Sequence, residues 1–505
     1  MLGCLNFDNG RGNMTVSVQI ERDDGLLAGD RSFLANNGIS NDDQNPDLRF
    51  QTGEITSGAT PNLSQFYDFA TTGRFNSGLR IPTQDNFVAD YTAEFGSAPT
   101  LTAAEQALFS RAASAPPRAI LPGRTFNITS PYGVVVLGDF GVEVPLGSEP
   151  DLDGDGTTDC LQSFTGYNSS LDGAEAFGIA GGCWNIAANG DIEPYQDGLI
   201  AGSFNHFGAT QSFIDPNRYH IIPEKEQVSV NFNGHYDLND SMTAFWESKY
   251  VYIESEAFEQ GHNFTDLLFG APDNPYLPAS LAAFANNGGL GFAGIDGGLH
   301  ISRDSDDWGE NLTTNERTLS RVVFGLEGSI NDVNYEVSVN YGRFERSMVD
   351  REEVIMDRFF AAIDAVYDPS FNIVCRSDLD ATAFPRTTPF DIPQFVGGGE
   401  RSGFFTFTPG DGQCQPMNIW GGRQSMSQAS IDFITFDREV EETIEQFVIS
   451  GFASGDTSDY FSLPGGPVAY VAGFEYREES TSQAFGDFDQ GILPVSGVTP
   501  DGQAY

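Results

Sequence analysis

Alternation of apolar and polar residues is the dominant pattern along this chain. In residues 227–254 the positions Val228, Val230, Phe232, Tyr236 and Leu238 share one parity, and Ser229, Asn231, Asn233, His235 and Asp237 share the other. Successive side chains of a strand point to opposite faces, so such a run has one apolar and one polar face. Two more stretches show the same pattern, and each of the three reads as a hairpin. The first turns at Asn239-Asp240-Ser241, the second (317–346) at Asn331-Asp332, and the third (442–478) between Ser454 and Pro467. A further strand is predicted over 11–22, with Met14, Val16, Val18 and Ile20 on one face and Thr15, Ser17, Gln19 and Glu21 on the other. The predicted runs are roughly ten residues or longer, whereas strands of globular proteins are usually about 5–6. Long alternating strands without an apolar run of about 18 residues are what a transmembrane β-barrel displays. The predicted fold class is therefore all-β, an incomplete antiparallel transmembrane β-barrel with long loops carrying short helices.

Between the hairpins the regularity fades. Four regions are expected: a first strand region (1–33), a loop-rich region with few strands (34–220), three long hairpins with surface loops (221–480), and the start of a further loop (481–505). Within 34–220 one short strand is expected near 133–140, and a helix starts at Thr102, where Thr-Ala-Ala-Glu forms a capping box. Residues 260–316 read as loop with a helical start at Pro278, and 356–367 read as a helix stopped before Pro369. Short turns thus alternate with long connections. The aromatics Trp246, Tyr250, Tyr252, Tyr335, Tyr341, Tyr470 and Tyr476 suit a girdle at headgroup level, or equally ordinary sheet packing. The polar positions Glu247, Lys249, Glu327, Glu336, Glu475 and Arg477 are expected to face a lumen as a solvated wall.

Composition sharpens this picture. Acidic residues number 72 against 25 basic ones, a net charge of −47, and the lysines are Lys225 and Lys249 alone. Such a surface repels nucleic acid, whose phosphates need Lys/Arg patches. Phe contributes 42 residues, so the chain is not of the aromatic-poor, disordered type. Met1-Leu2-Gly3-Cys4 lacks the basic and apolar regions of a signal peptide, so the chain is expected to be an internal piece of a longer protein.

Two disulfides, Cys160–Cys183 and Cys375–Cys414, are expected as loop staples of an oxidising compartment, because neither pair has CxxC spacing or nearby histidines for zinc. Cys4 is left over. Asp151, Asp153, Asp155 and Asp159 fall at positions 1, 3, 5 and 9 of an EF-hand-like loop, with Gly156 at 6 and the Thr157 carbonyl at 7. Calcium wants such hard oxygen ligands, but Gln162 replaces the bidentate Glu at position 12, and a solvated acidic turn accounts for the same residues. His206, His220, His235, His262 and His300 are scattered with no catalytic spacing, and no enzymatic activity is expected.

The run Leu463-Pro464-Gly465-Gly466-Pro467-Val468 followed by Gly473-Phe474-Glu475-Tyr476-Arg477 resembles the late periplasmic turn and ascending strand of the TonB-dependent receptors of Gram-negative outer membranes. Phe360-Ala361-Ala362-Ile363-Asp364-Ala365-Val366 before Ile373-Val374-Cys375-Arg376, Cys414-Gln415-Pro416-Met417-Asn418-Ile419-Trp420-Gly421, and Tyr236-Asp237-Leu238-Asn239-Asp240 are similar to the same family. The resemblance covers most of 220–480. It implies a barrel of about 22 strands with a plugged lumen, set in outer-membrane lipid with extracellular loops. It further implies uptake of a scarce nutrient (an iron chelate, glycan or cobalamin-like compound) energised by the inner-membrane TonB complex. No plug domain is visible in the sequence, and the first strand plus three hairpins amount to seven strands. The alternative reading is a secreted, calcium-stabilised β-rich protein that binds or cleaves polysaccharide.

Overall fold

The computed structural model describes residues 2–35, 40–48, 83–85, 88–89, 92, 96–126, 129–136, 184–196, 198–200, 205–208, 220–258, 262–286, 298–305, 307, 311–380 and 406–491. Its centre is one antiparallel sheet of eight strands, here β1 (Leu2–Phe7), β2 (Gly12–Asp23), β3 (Glu224–Asn239), β4 (Met242–Phe258), β5 (Leu312–Ile330), β6 (Val333–Val354), β7 (Thr435–Asp456) and β8 (Ala469–Phe485). The strands are neighbours in chain order. All seven strands expected from the alternation are present, and the hairpins run well beyond their expected ends: β6 and β7 are each 22 residues long. Strand β1 was not expected. It is six residues long and pairs with β2 from Leu2↔Ser17 to Phe7↔Gly12.

The turns have local chemical causes. Asn239 Oδ1 accepts from the Ser241 backbone N–H at 3.0 Å, an Asx-type turn. Asn331 adopts φ 55°, a left-handed conformation that Asn tolerates. On the sheet, the Trp246 ring lies directly over Gly234, where a Cβ would sit 2.3 Å from the indole. Glycine at this position lets the ring lie flat, and Phe232 stacks beside it with centroids 6.3 Å apart.

The connections fall into two classes. Residues 8–11, 240–241, 331–332 and 457–468 join strands at one end of the sheet. Residues 24–223, 259–311 and 355–434 all leave from the other end, beside the terminal pairs Asp23↔Lys225, Phe258↔Leu312 and Val354↔Thr435. Described parts of this second class pack into a cap with its own core. A five-stranded sheet, ordered 262–270, 299–305, 134–136, 184–186, 192–194, carries the buried Val135, Trp184, Ile186, Leu268, Leu299 and Ile301. The strand expected near 133–140 is Val134–Val136 within it. Reading 260–316 as loop with one helix was therefore incomplete, since His262–Gly270 and Leu299–Ser305 are strands and β5 already begins at Leu312. Residues 34–220 likewise hold more strand than expected, though in pieces as short as the two residues of Leu199–Ile200 and the three of Trp184–Ile186.

Four helices complete the described elements of note: α1 (Ala103–Ser114), α2 (Ala279–Asn286), α3 (Met356–Ile363) and α4 (Gln428–Ile434). The capping box of α1 forms as the sequence requires: Thr102 N–H donates to Glu105 Oε2 at 2.6 Å and Glu105 N–H to Thr102 Oγ1 at 3.3 Å. The helix expected over 356–367 ends at Ile363 instead, and Ala365–Tyr367 pairs with Ile373–Cys375. The β-branched Val366, Ile373 and Val374 favour that hairpin, and Arg376 Nε fastens it by donating to Asp364 at 3.0 Å. Arg303 is fully buried at the centre of the cap. It donates to both Asp307 oxygens at 2.8 Å and to the Ile419 carbonyl at 2.9 Å, so its charge is paired and its cap segments are joined.

Candidate functional site

The register of the main sheet sorts its side chains onto two faces. Paired residues share a face. One row runs Trp246, Phe324, Val339, Ile449, Tyr476, and the next runs Ala244, Leu326, Val337, Gly451, Phe474. All seven aromatics singled out in the sequence lie on this apolar face. On β4 the apolar stretch extends from Ala244 to Tyr252, on β6 from Val333 to Tyr341, and on β2 from Gly12 to Ile20. Each is comparable to the roughly 9–11 residues that a tilted strand needs to cross a bilayer. Beyond it come charges: Arg22, Glu226, Glu254, Arg343, Glu445 and Glu478. Much of the apolar face is bare, with Ile20 76%, Phe324 64% and Phe474 60% exposed. An uncovered apolar area of this extent marks an interaction surface.

The opposite face is largely polar, crossed by one apolar row of Val251, Leu319, Phe344 and Ile444. Glu247, Lys249, Glu327, Glu336, Glu475 and Arg477, expected as a solvated wall, all share it by register, and Glu327 stands directly opposite Glu336. Near the short turns Glu327 and Glu336 border an open groove of about 920 Å³ that Arg11, Asp237 and Asn239 also line. Arg11 closes one side, donating to the Asp237 carbonyl at 2.7 Å with its guanidinium carbon 5.0 Å from the Tyr236 ring centroid.

Three basic residues on this face, Arg317, Arg321 and Arg346, were not singled out in the sequence. Lys249 is paired with Arg321 across β4 and β5, and Arg317 with Arg346 across β5 and β6. Parity places each on the polar face, but only the register brings them together.

Of the other expected sites, the Cys375–Cys414 disulfide is formed, inside the cap core with Cys375 fully buried. Cys160–Cys183 and the calcium loop Asp151, Asp153, Asp155, Thr157 and Asp159 lie outside the described residues. Cys4 is a free, exposed thiol on β1. Among the described residues no group of three or more His, Cys, Asp or Glu is placed to hold a metal ion. His220 accepts from the Phe258 N–H at 3.0 Å through Nδ1 and stacks on that ring, which is a structural role.

No protein-family model matches this chain, and no curated protein and no solved structure matches it.

Proposed function

We propose that this chain forms part of the wall of an outer-membrane β-barrel of the TonB-dependent receptor type, serving energy-coupled uptake of a scarce nutrient. In this reading the apolar face meets lipid, the polar face lines the lumen, the short turns face the periplasm and the cap faces outward. The observation that carries it is the apolar face itself. Its band continues from strand to strand, carries aromatics throughout and gives way to charge at the cap end, as lipid on one side and water beyond would require. In lipid every backbone group must be paired, so β1 and β8, the two edges of the sheet, need neighbours. Further strands of the same wall would supply them. A plug domain and the inner-membrane TonB complex are the partners this function entails, and an iron chelate, a glycan or a cobalamin-like compound is its cargo.

Fractionation of cells that produce the protein tests the proposal. The chain should stay with the outer membrane through alkaline carbonate washing and be released by detergent. Recovery in the aqueous fraction without detergent would overturn it.

A further inference from the structure

We propose that the paired cations of the polar face, Lys249 with Arg321 and Arg317 with Arg346, form a binding site for an amphiphilic anion. The proposal deepens the transport reading by naming a ligand class, and it rests on that reading for the route by which the ligand arrives.

Like charges directly opposite one another on a sheet are destabilising. Here two such pairs sit four residues apart on β5, about 13 Å at the usual rise per residue. The chain holds 72 carboxylates for 25 basic residues, so counter-charges abound. Other main-sheet cations use them: Arg22 pairs with Asp24 and Glu226, Lys225 with Glu21, Arg343 with Glu345 and Glu445, and Arg477 with Glu475 and Glu479. Among the described residues none of these four cations forms an ion pair, although Glu247 lies two places before Lys249 and Glu442 stands opposite Arg346. Neutral amides orient the guanidiniums instead. Asn340 Oδ1 accepts from Arg321 Nε at 2.9 Å, while Asn315 Oδ1 accepts from both Arg317 Nε at 3.1 Å and Arg346 Nε at 3.3 Å. Such bonds fix the donors and leave the positive charge unneutralised.

The surroundings define the rest of the ligand. Between the two cationic rows runs an apolar row, Val251, Leu319, Phe344 and Ile444. Beside Arg321, Gly342 leaves space, for a Cβ there would meet nothing nearer than 3.9 Å. The matching chemistry is an aromatic or aliphatic body bearing carboxylate, sulfonate or phosphate groups at opposite ends. Guanidiniums bind such groups through charge-assisted, frequently bidentate hydrogen bonds.

The test uses the full chain in a non-ionic detergent, titrated with 1,3,6,8-pyrenetetrasulfonate, a rigid aromatic polyanion, and followed by fluorescence anisotropy. Binding should weaken with salt. The double substitutions Lys249→Gln/Arg321→Gln and Arg317→Gln/Arg346→Gln should each weaken it about tenfold or more, whereas Arg343→Gln on the apolar face should leave it unchanged. Absence of binding, or equal loss in all three variants, would overturn the site. Circular dichroism of each variant identifies any loss caused by misfolding, and the single substitution Arg321→Lys, which keeps charge but not the planar fork, then decides by an intermediate affinity. Binding by a protein that fractionates as water-soluble would sink the membrane reading and spare the site. A membrane-integral protein that does not bind would do the reverse.

Discussion

At the residue scale, the short-turn end carries an acidic contact with a definite pH signature. Asp332, in the turn between β5 and β6, shares a hydrogen bond with Asp459 of the next turn, and that bond, followed by the carboxylate charges of Asp459 and Asp456, raises its pKa above the ordinary aspartate value. The folded protein therefore holds this proton more tightly than the unfolded chain. The contribution is fully present at acid pH and is lost as pH rises through the raised pKa. The protection of amides in 457–468, relative to their intrinsic base-catalysed exchange, should fall over that interval, and Asp332→Asn, which keeps a donor at every pH, should flatten the dependence. An unchanged profile in the variant would assign the effect to other groups. The local signals in the sequence were accurate at this scale: Thr102 caps its helix as its Thr-x-x-Glu pattern requires, and Asn239 and Asn331 make the turns that Asn favours. The contact between Asp332 and Asp459 was not legible, because it joins residues from separate hairpins.

At the element scale, the strands behave as two-faced units. Phe324 on the apolar face has Trp246 and Val339 beside it in the row, while Ser338, opposite Gly325, belongs to the polar face. With the chain folded into lipid vesicles, Phe324→Lys should cost about 2–4 kcal/mol near the bilayer midplane. Ser338→Lys should cost less than about 1 kcal/mol. Urea titration in the vesicles measures both, and equal costs would mean that lipid does not cover the apolar face. Alternation revealed these strands because each has one face in each environment. It failed for Trp184–Ile186 and Leu299–Ser305, short strands largely buried in the cap, where no one-sided alternation marks them. The helix over 356–367 was overextended for a related reason: Ala365–Tyr367 is drawn into a hairpin by a partner strand beginning at Ile373.

At the scale of the whole molecule, sheet and cap are stabilised differently. The sheet rests on its ladder of backbone hydrogen bonds, the cap on a buried core, the Arg303–Asp307 ion pair and the Cys375–Cys414 bridge across 39 residues. Reducing that bridge, or replacing it by Cys375→Ser/Cys414→Ser, should destabilise the cap by about 2–4 kcal/mol. Hydrogen exchange followed by mass spectrometry should show faster exchange in 356–380 and 406–434, with β5 and β6 protected as before. Uniform acceleration would show that the two regions open as one unit.

The sequence by itself determined the strand-rich class, seven of the eight main strands, the polarity of both faces, the short-turn and long-connection rhythm, and the pairing of Cys375 with Cys414. These are properties of local alternation, turn chemistry and cysteine context, which act over a few residues or through composition. The tertiary structure alone decided the register, and with it the meeting of Lys249 with Arg321 and of Arg317 with Arg346. It also decided that described segments of the long connections meet in a cap around Arg303, since residues as distant as Tyr132, Asp307 and Ile419 converge there only when burial of a shared core offsets the entropy of closing those loops.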